Sequence, residues 1–227
     1  MLTTILALLQ LVPAAPMVDG QRLFVGDSCY VTSGSDPSAL PAGKVLRRVE
    51  RIARDRLMIT VAARFNGGPL MTSRLKVAFP DLHPIETRED TDGRISLVVR
   101  YRDGLAGGKI YSEDGDSRAS TKMLGGPVWD DETLEFVLTT LPFAQGAHFD
   151  LPVFQFDRGP AVSRIDVTGT RTVDIDGASR EAWVVSATTR SDMIITFLVG
   201  KSDRRLLEVD VGGVRSYLGG NCAELSK

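Results

Sequence analysis

The sequence predicts a mainly β (α+β) fold: a large curved antiparallel sheet, a half-barrel of roughly ten strands, with one amphipathic helix packed on its concave face. Three observations predict it. Apolar and polar residues alternate over long stretches, as a sheet with one buried face requires. Pairs of Gly, Asn and Asp punctuate these stretches at short intervals, the kind of connection that joins antiparallel neighbours. A single stretch, residues 131–141, instead carries its apolar residues at helical spacing.

In chain order, residues 1–12 read MLTTILALLQLV and are followed by Pro13-Ala14-Ala15-Pro16. An apolar run before small residues reads as a secretory signal peptide over residues 1–15, cleaved near Ala14 or Ala15, although no Lys or Arg precedes it. The run is too short to span a bilayer as a helix, and no other stretch approaches the ~18 apolar residues of a transmembrane segment. The expected location is therefore outside the cytoplasm, in the periplasm or cell envelope, and residues 16–227 are expected to form a single domain.

Val45, Val49 and Ile52 would fit a helical face, but their context favours a strand that turns back into residues 57–65. There Leu57, Ile59, Val61, Ala63 and Phe65 alternate with mostly polar neighbours. Residues 94–102 read RISLVVRYR, with Ile95, Leu97, Val99 and Tyr101 on one face and Arg94, Ser96, Arg100 and Arg102 on the other. Met193, Ile195, Phe197 and Val199 repeat the pattern, and β-branched runs lie at 163–175, 181–189 and 206–211. Turn signals fall at Asn66-Gly67-Gly68, Asp92-Gly93, Asp103-Gly104, Gly107-Gly108, Asp176-Gly177 and Gly212-Gly213. In the helical stretch, Asp130 suits an N-cap, and Asp131 and Glu132 put negative charge at the positive end of the dipole. Leu134, Val137, Leu138 and Leu141 form its stripe, and Pro142 stops it.

The chemistry of the chain is sparse. With 27 Lys+Arg against 29 Asp+Glu and no massed basic stripe, it shows no electrostatic footprint for nucleic acid, and its arginines read as solvated strand faces. The two histidines, His83 and His148, lie near no nucleophile motif, and no phosphate loop, dinucleotide fingerprint or zinc-protease helix is present. No cofactor, metal or catalytic residue is expected. Asp130-Asp131-Glu132 reads as helix capping, and Asp114, Asp116, Asp174 and Asp176 as turn chemistry rather than a calcium loop. Cys29 and Cys222 are the only cysteines. In an oxidising compartment they suggest a disulfide, against the alternative of two free thiols. The aromatics Trp129, Phe136, Phe143, Phe149, Phe154 and Phe156 gather in and after the helix. They either fill the space between helix and sheet or line a cavity for an apolar ligand.

Four segments together resemble a known family. Asp81-Leu82-His83-Pro84-Ile85 resembles a Leu-x-Pro strand start, and residues 131–146 resemble a helix ending in Leu-Pro-Leu-x-x-Gly. Residues 167–173 resemble a Val-x-Gly-x-Glu-x-Val strand, with Arg171 where the pattern has Glu, and residues 197–209 a strand pair with Ser/Asp-x-x-Arg at its turn. Their order is similar to a family of bacterial exported domains of unknown function in which a curved sheet wraps a helix, a shape resembling the half-barrels of periplasmic lipoprotein carriers.

The resulting expectation is a non-enzymatic envelope protein that binds or carries an apolar ligand such as a lipid or acyl chain. Its pocket would be formed by Trp129, Leu134, Phe136, Leu138, Leu141, Ile95, Leu97 and Val99. The alternatives are a structural module with a filled core, whose partner is another envelope protein, and a hydrolase revealed by converging carboxylates of perturbed pKa.

Overall fold

The computed structural model describes residues 18–33, 43–188 and 193–226. The signal peptide expected over residues 1–15 lies outside them.

Among the described residues one sheet takes up fifteen strands, where roughly ten were expected from periodicity. Its first half holds β1 (Gly26–Ser33), β2 (Gly43–Ala53), β3 (Arg56–Phe65), β4 (Met71–Ala78), β5 (Pro84–Thr91), β6 (Arg94–Arg102), β7 (Leu105–Tyr111) and β8 (Ser117–Met123). Its second half holds β9 (Trp129–Asp130), β10 (His148–Gln155), β11 (Gly159–Ile175), β12 (Ala178–Thr188), β13 (Ile194–Gly200), β14 (Leu206–Val211) and β15 (Val214–Leu218).

Neighbouring strands are sequence neighbours throughout, with one exception: β1 pairs with β15 in the interior of the sheet, and β8 and β9 are the two edges. All pairings are antiparallel except the short β9–β10 contact. The ladder slips at Arg51/Ala53, Lys76/Val77, Glu89/Asp90, Val167/Gly169 and Leu198/Val199. Each slip bends its strand and adds local twist, and together they curve the open sheet.

The strands read from alternation are present with nearly the expected bounds. Of the additional ones, β5 and β8 are polar, whereas β4 and β10 bury apolar residues such as Leu75, Val77, Leu151 and Val153. Edge strand β8 has the sequence SRASTKM and is exposed along almost its whole length, so it carries no apolar period; its Arg and Lys suit an edge that must not pair with another chain. Gly107-Gly108, expected as a turn, lies inside β7. A Cβ on Gly108 would stand 2.6 Å from the Val98 carbonyl oxygen and 2.9 Å from the Phe156 ring. Glycine is therefore there for close approach, not for a turn.

The helix is shorter and more deeply buried than its stripe implies. Asp130 caps a 3-10 turn at Asp131–Thr133, accepting from the Glu132 N–H, and α1 covers only Leu134–Thr139. The Thr139 and Thr140 hydroxyls bond back to the Phe136 and Val137 carbonyls at 2.7 Å and close its last turn. Of the α1 residues only Glu135 is not buried, so the element is not amphipathic. A helix apolar nearly all round belongs inside a core.

The main core joins Leu134, Val137, Leu138 and Leu141 to Leu57 and Ile59 of β3 and Val185 of β12. Period two puts Leu46 and Ala62 on the other face, where they form a separate cluster with Cys222 and Leu225. The disulfide sits in this cluster. Cys29 and Cys222 are joined with Cα atoms 5.6 Å apart, the pairing expected from the sequence.

Candidate functional site

Two clefts flank the turn at Asp131–Thr133, and Asp131 and Glu132 line both. The first is an apolar groove of about 390 Å³. Val45 of β2, Val61 and Phe65 of β3, Ile195 of β13, and Val209 and Val211 of β14 floor it, with Leu134 at its side. Alternation along each strand puts these residues on the helix-bearing face. The groove rim carries a half-buried ion pair between β2 and α1, in which Arg47 Nε and Nη2 donate to Glu135 Oε1 and Oε2 at 2.5 and 2.7 Å.

The second is an acidic cleft of about 310 Å³ lined by Thr87, Glu89, Leu97, Val99, Asp130, Asp131, Glu132, Phe156 and Asp157, among others, with no Arg, Lys or His among the described residues that line it. Asp130 organises it. Buried in the two-residue strand β9, it accepts from Thr87 Oγ1 at 2.6 Å, from the Tyr101 hydroxyl, and from the Glu132 N–H at 3.0 Å. Burial raises its pKa, and the three donors oppose that rise by stabilising the charged form. Burial raises the Tyr101 phenol too, with Asp130 beside it adding to the effect. Glu89 is raised by burial first, then by the charges of Asp130 and Asp157.

Glu132 is exposed as a residue, while its carboxyl is enclosed enough in the cleft to lose part of its hydration. That enclosure, followed by the charges of Glu89, Asp130, Asp131 and Glu135, pushes it up to about 8. No group of three or more His, Cys, Asp or Glu arranged to hold a metal ion is found among the described residues.

The Glu132 shift has a pH consequence. The folded protein keeps the proton while the unfolded chain, at its ordinary value of 4.5, has released it. Stability from this group is fully present below pH 4.5 and is lost as pH rises to about 8. Thermal unfolding of wild type and Glu132→Gln across pH 4 to 9 should therefore show the wild type losing stability through this window, with the decline reduced in the variant. Parallel profiles would show that Glu132 titrates normally.

The expected apolar pocket is not one site. Trp129, Leu134, Phe136, Leu138 and Leu141 belong to the main core, whereas Val99 and Leu97 pack in a separate cluster with Val128, Phe154 and Phe156. Only Leu134 lines the apolar groove, Leu97 and Val99 line the acidic cleft, and Ile95 lines neither. Trp129 donates through Nε1 to the Asp81 carbonyl at 3.0 Å and stacks on His83, a packed structural role. The aromatics expected as one group divide in the same way, with Phe136 and Phe143 in one core and Phe154 and Phe156 in the other.

A family model described as "Protein of unknown function (DUF3108)" matches residues 30–218, from within β1 to the last residue of β15. Both disulfide cysteines lie just outside the matched span. Neither a curated protein nor a solved structure matches the chain.

Proposed function

The chain belongs to the DUF3108 family of proteins of unknown function, and from that premise we propose that it is an exported, non-enzymatic protein that binds or carries an apolar ligand. The ligand is a lipid or acyl chain, lying along the helix-bearing, concave face of a half-barrel formed by residues 16–227. One observation carries the reading: a groove of about 390 Å³ floored by valines, Phe65 and Ile195. That volume is within the ~300–1,000 Å³ of small-molecule sites, which are mostly apolar with a few polar groups at the rim. The disulfide supports export, since such bonds persist in oxidising compartments. The half-barrel resemblance to bacterial lipoprotein carriers agrees with it at the level of fold alone.

The reading is tested by displacement of 1-anilinonaphthalene-8-sulfonate with lysophosphatidylcholine, in wild type and in Val211→Asp. Val211 is half-buried on the groove floor. A carboxylate there should weaken binding about tenfold or more, because an acyl chain cannot replace its lost water. Absence of saturable displacement, or equal affinity in the variant, sinks the reading.

The acidic cleft favours a second reading, acid–base catalysis, because Glu89 and Glu132 line one cleft with both carboxyls raised. The two readings separate on outcome: a carrier returns its ligand unchanged. The filled space beneath α1, where Val137, Leu138 and Leu141 are fully buried, favours a third, a structural module whose partner is another envelope protein.

A further inference from the structure

The Arg47–Glu135 pair, which lines the groove, also lines a small pocket of about 30 Å³ together with Tyr30, Phe136, Arg204 and Arg205, among others. That volume is its water-sized interior, and the pocket is only partly enclosed, so its mouth opens to solvent. Four buried side-chain nitrogens among the described residues lack a hydrogen-bond partner, and three of them, Arg47 Nη1, Arg204 Nη1 and Arg205 Nε, belong to residues lining this one pocket.

Among the described residues that line the pocket, three guanidiniums meet one carboxylate, Glu135, which is committed to Arg47 through both oxygens. The nearby acids are engaged elsewhere: Asp19 with Arg22, Asp27 with Arg48, and Asp203 with Arg180. Each guanidinium is held by an aromatic face, Arg47 over Tyr30 at 4.2 Å, Arg204 over Phe143 at 5.0 Å and Arg205 over Phe24 at 4.3 Å. Arg205 also donates to Ser28 Oγ at 3.2 Å. Arg204 has a φ of 58°, in the left-handed region that a non-glycine residue rarely occupies. The three arginines are half-buried, but these particular nitrogens are buried, and buried donors almost always have partners.

We infer that this pocket binds a small oxyanion, a carboxylate or phosphate, whose oxygens accept from the free nitrogens of Arg47, Arg204 and Arg205. Guanidiniums are the side chains best matched to such groups. Burial together with the neighbouring Arg22 lowers the Arg204 pKa, as befits a cation without its counter-ion. The inference does not depend on the apolar groove being occupied.

The test is the unfolding temperature of the full chain titrated with inorganic phosphate, acetate and dodecyl phosphate, each against sodium chloride at equal ionic strength. Wild type should show a saturable rise with phosphate, acetate or dodecyl phosphate, as ligand linkage requires. Arg204→Gln, which removes no hydrogen bond of its own Nη1, should weaken that response about tenfold or more. Arg205→Gln should do the same, giving a second measurement if the first variant folds poorly. Comparable affinity for phosphate and dodecyl phosphate identifies a free ion, and much tighter binding of dodecyl phosphate identifies a lipid head group. No saturable response to any of the three, or unchanged responses in both variants, overturns the inference.

Discussion

Replacing Leu138 by alanine is expected to destabilise the protein by about 2–5 kcal/mol, the range for truncating a fully buried leucine. Leu138 is 0% exposed and lies at the centre of the core that joins α1 to the sheet. Its loss removes transfer energy and leaves a hole that close-packed neighbours fill only in part. The helix cannot compensate, because six residues do not form a stable helix in water without tertiary packing. Leu138 lines neither the groove nor the acidic cleft, so lysophosphatidylcholine should not restore the variant. Urea unfolding of both proteins, with and without that lipid, measures this. A loss below about 1 kcal/mol, or rescue by lipid, would mean that the ligand space extends beneath α1.

Removing the disulfide should have an effect of similar size. The bond closes a loop with a sequence separation of 193 residues. Chain entropy alone allows about 5 kcal/mol for such a loop, and measured losses generally fall at about 2–5 kcal/mol. The Cys29→Ser, Cys222→Ser double variant should therefore unfold at markedly lower denaturant, while keeping its sheet content through the β1–β15 ladder. Wild type should show no reactive thiol when denatured without reductant. Two reactive thiols, or equal stability of wild type and variant, would contradict this account.

The strands that bury a regular apolar face were legible. The bounds of β6 and β14 are those that alternation marks, and β2 is a strand as its context favoured over a helix. What escaped was in part short apolar strands such as β4 and β10, and in part sheet without an apolar period. Strand β8 lies at an edge and buries little, and β5 (PIETREDT) turns Thr87 and Asp90 inward, where hydrogen bonds rather than apolar contacts hold them. The helix was found because its stripe is regular, but Phe136 and the buried threonines, which make it a core element, broke no rule visible in one dimension.

The site was less legible still. Reading Asp130 as a cap was sound, since its Oδ1 does accept from the Glu132 N–H. Its second oxygen meets Thr87 and Tyr101, residues 43 and 29 positions away, a juxtaposition that only the fold creates. Most of the described arginines are exposed as their place on the strands implies, but three with buried nitrogens at one pocket depart from that pattern. Arg47, Arg204 and Arg205 look like solvated strand and turn residues until β2 and the turn before β14 converge beside α1. The buried donors that mark that pocket have no signature in sequence.

The seam between β1 and β15 sets an order of events during synthesis. Except for that pair, every strand finds its partner soon after it emerges, next to a strand made just before or just after it. Strand β1 must wait for β15, the last of the described strands, with 180 residues between Ser33 and Val214. At the ~5–20 residues per second of translation, one side of β1 stays open for about 10–35 s. Its exposed row of N–H and C=O groups is, for that time, a template for any other nascent strand. Completion of the sheet is thus delayed until β15 is available, when the closing strand arrives and the two cysteines that flank the seam come within reach of each other.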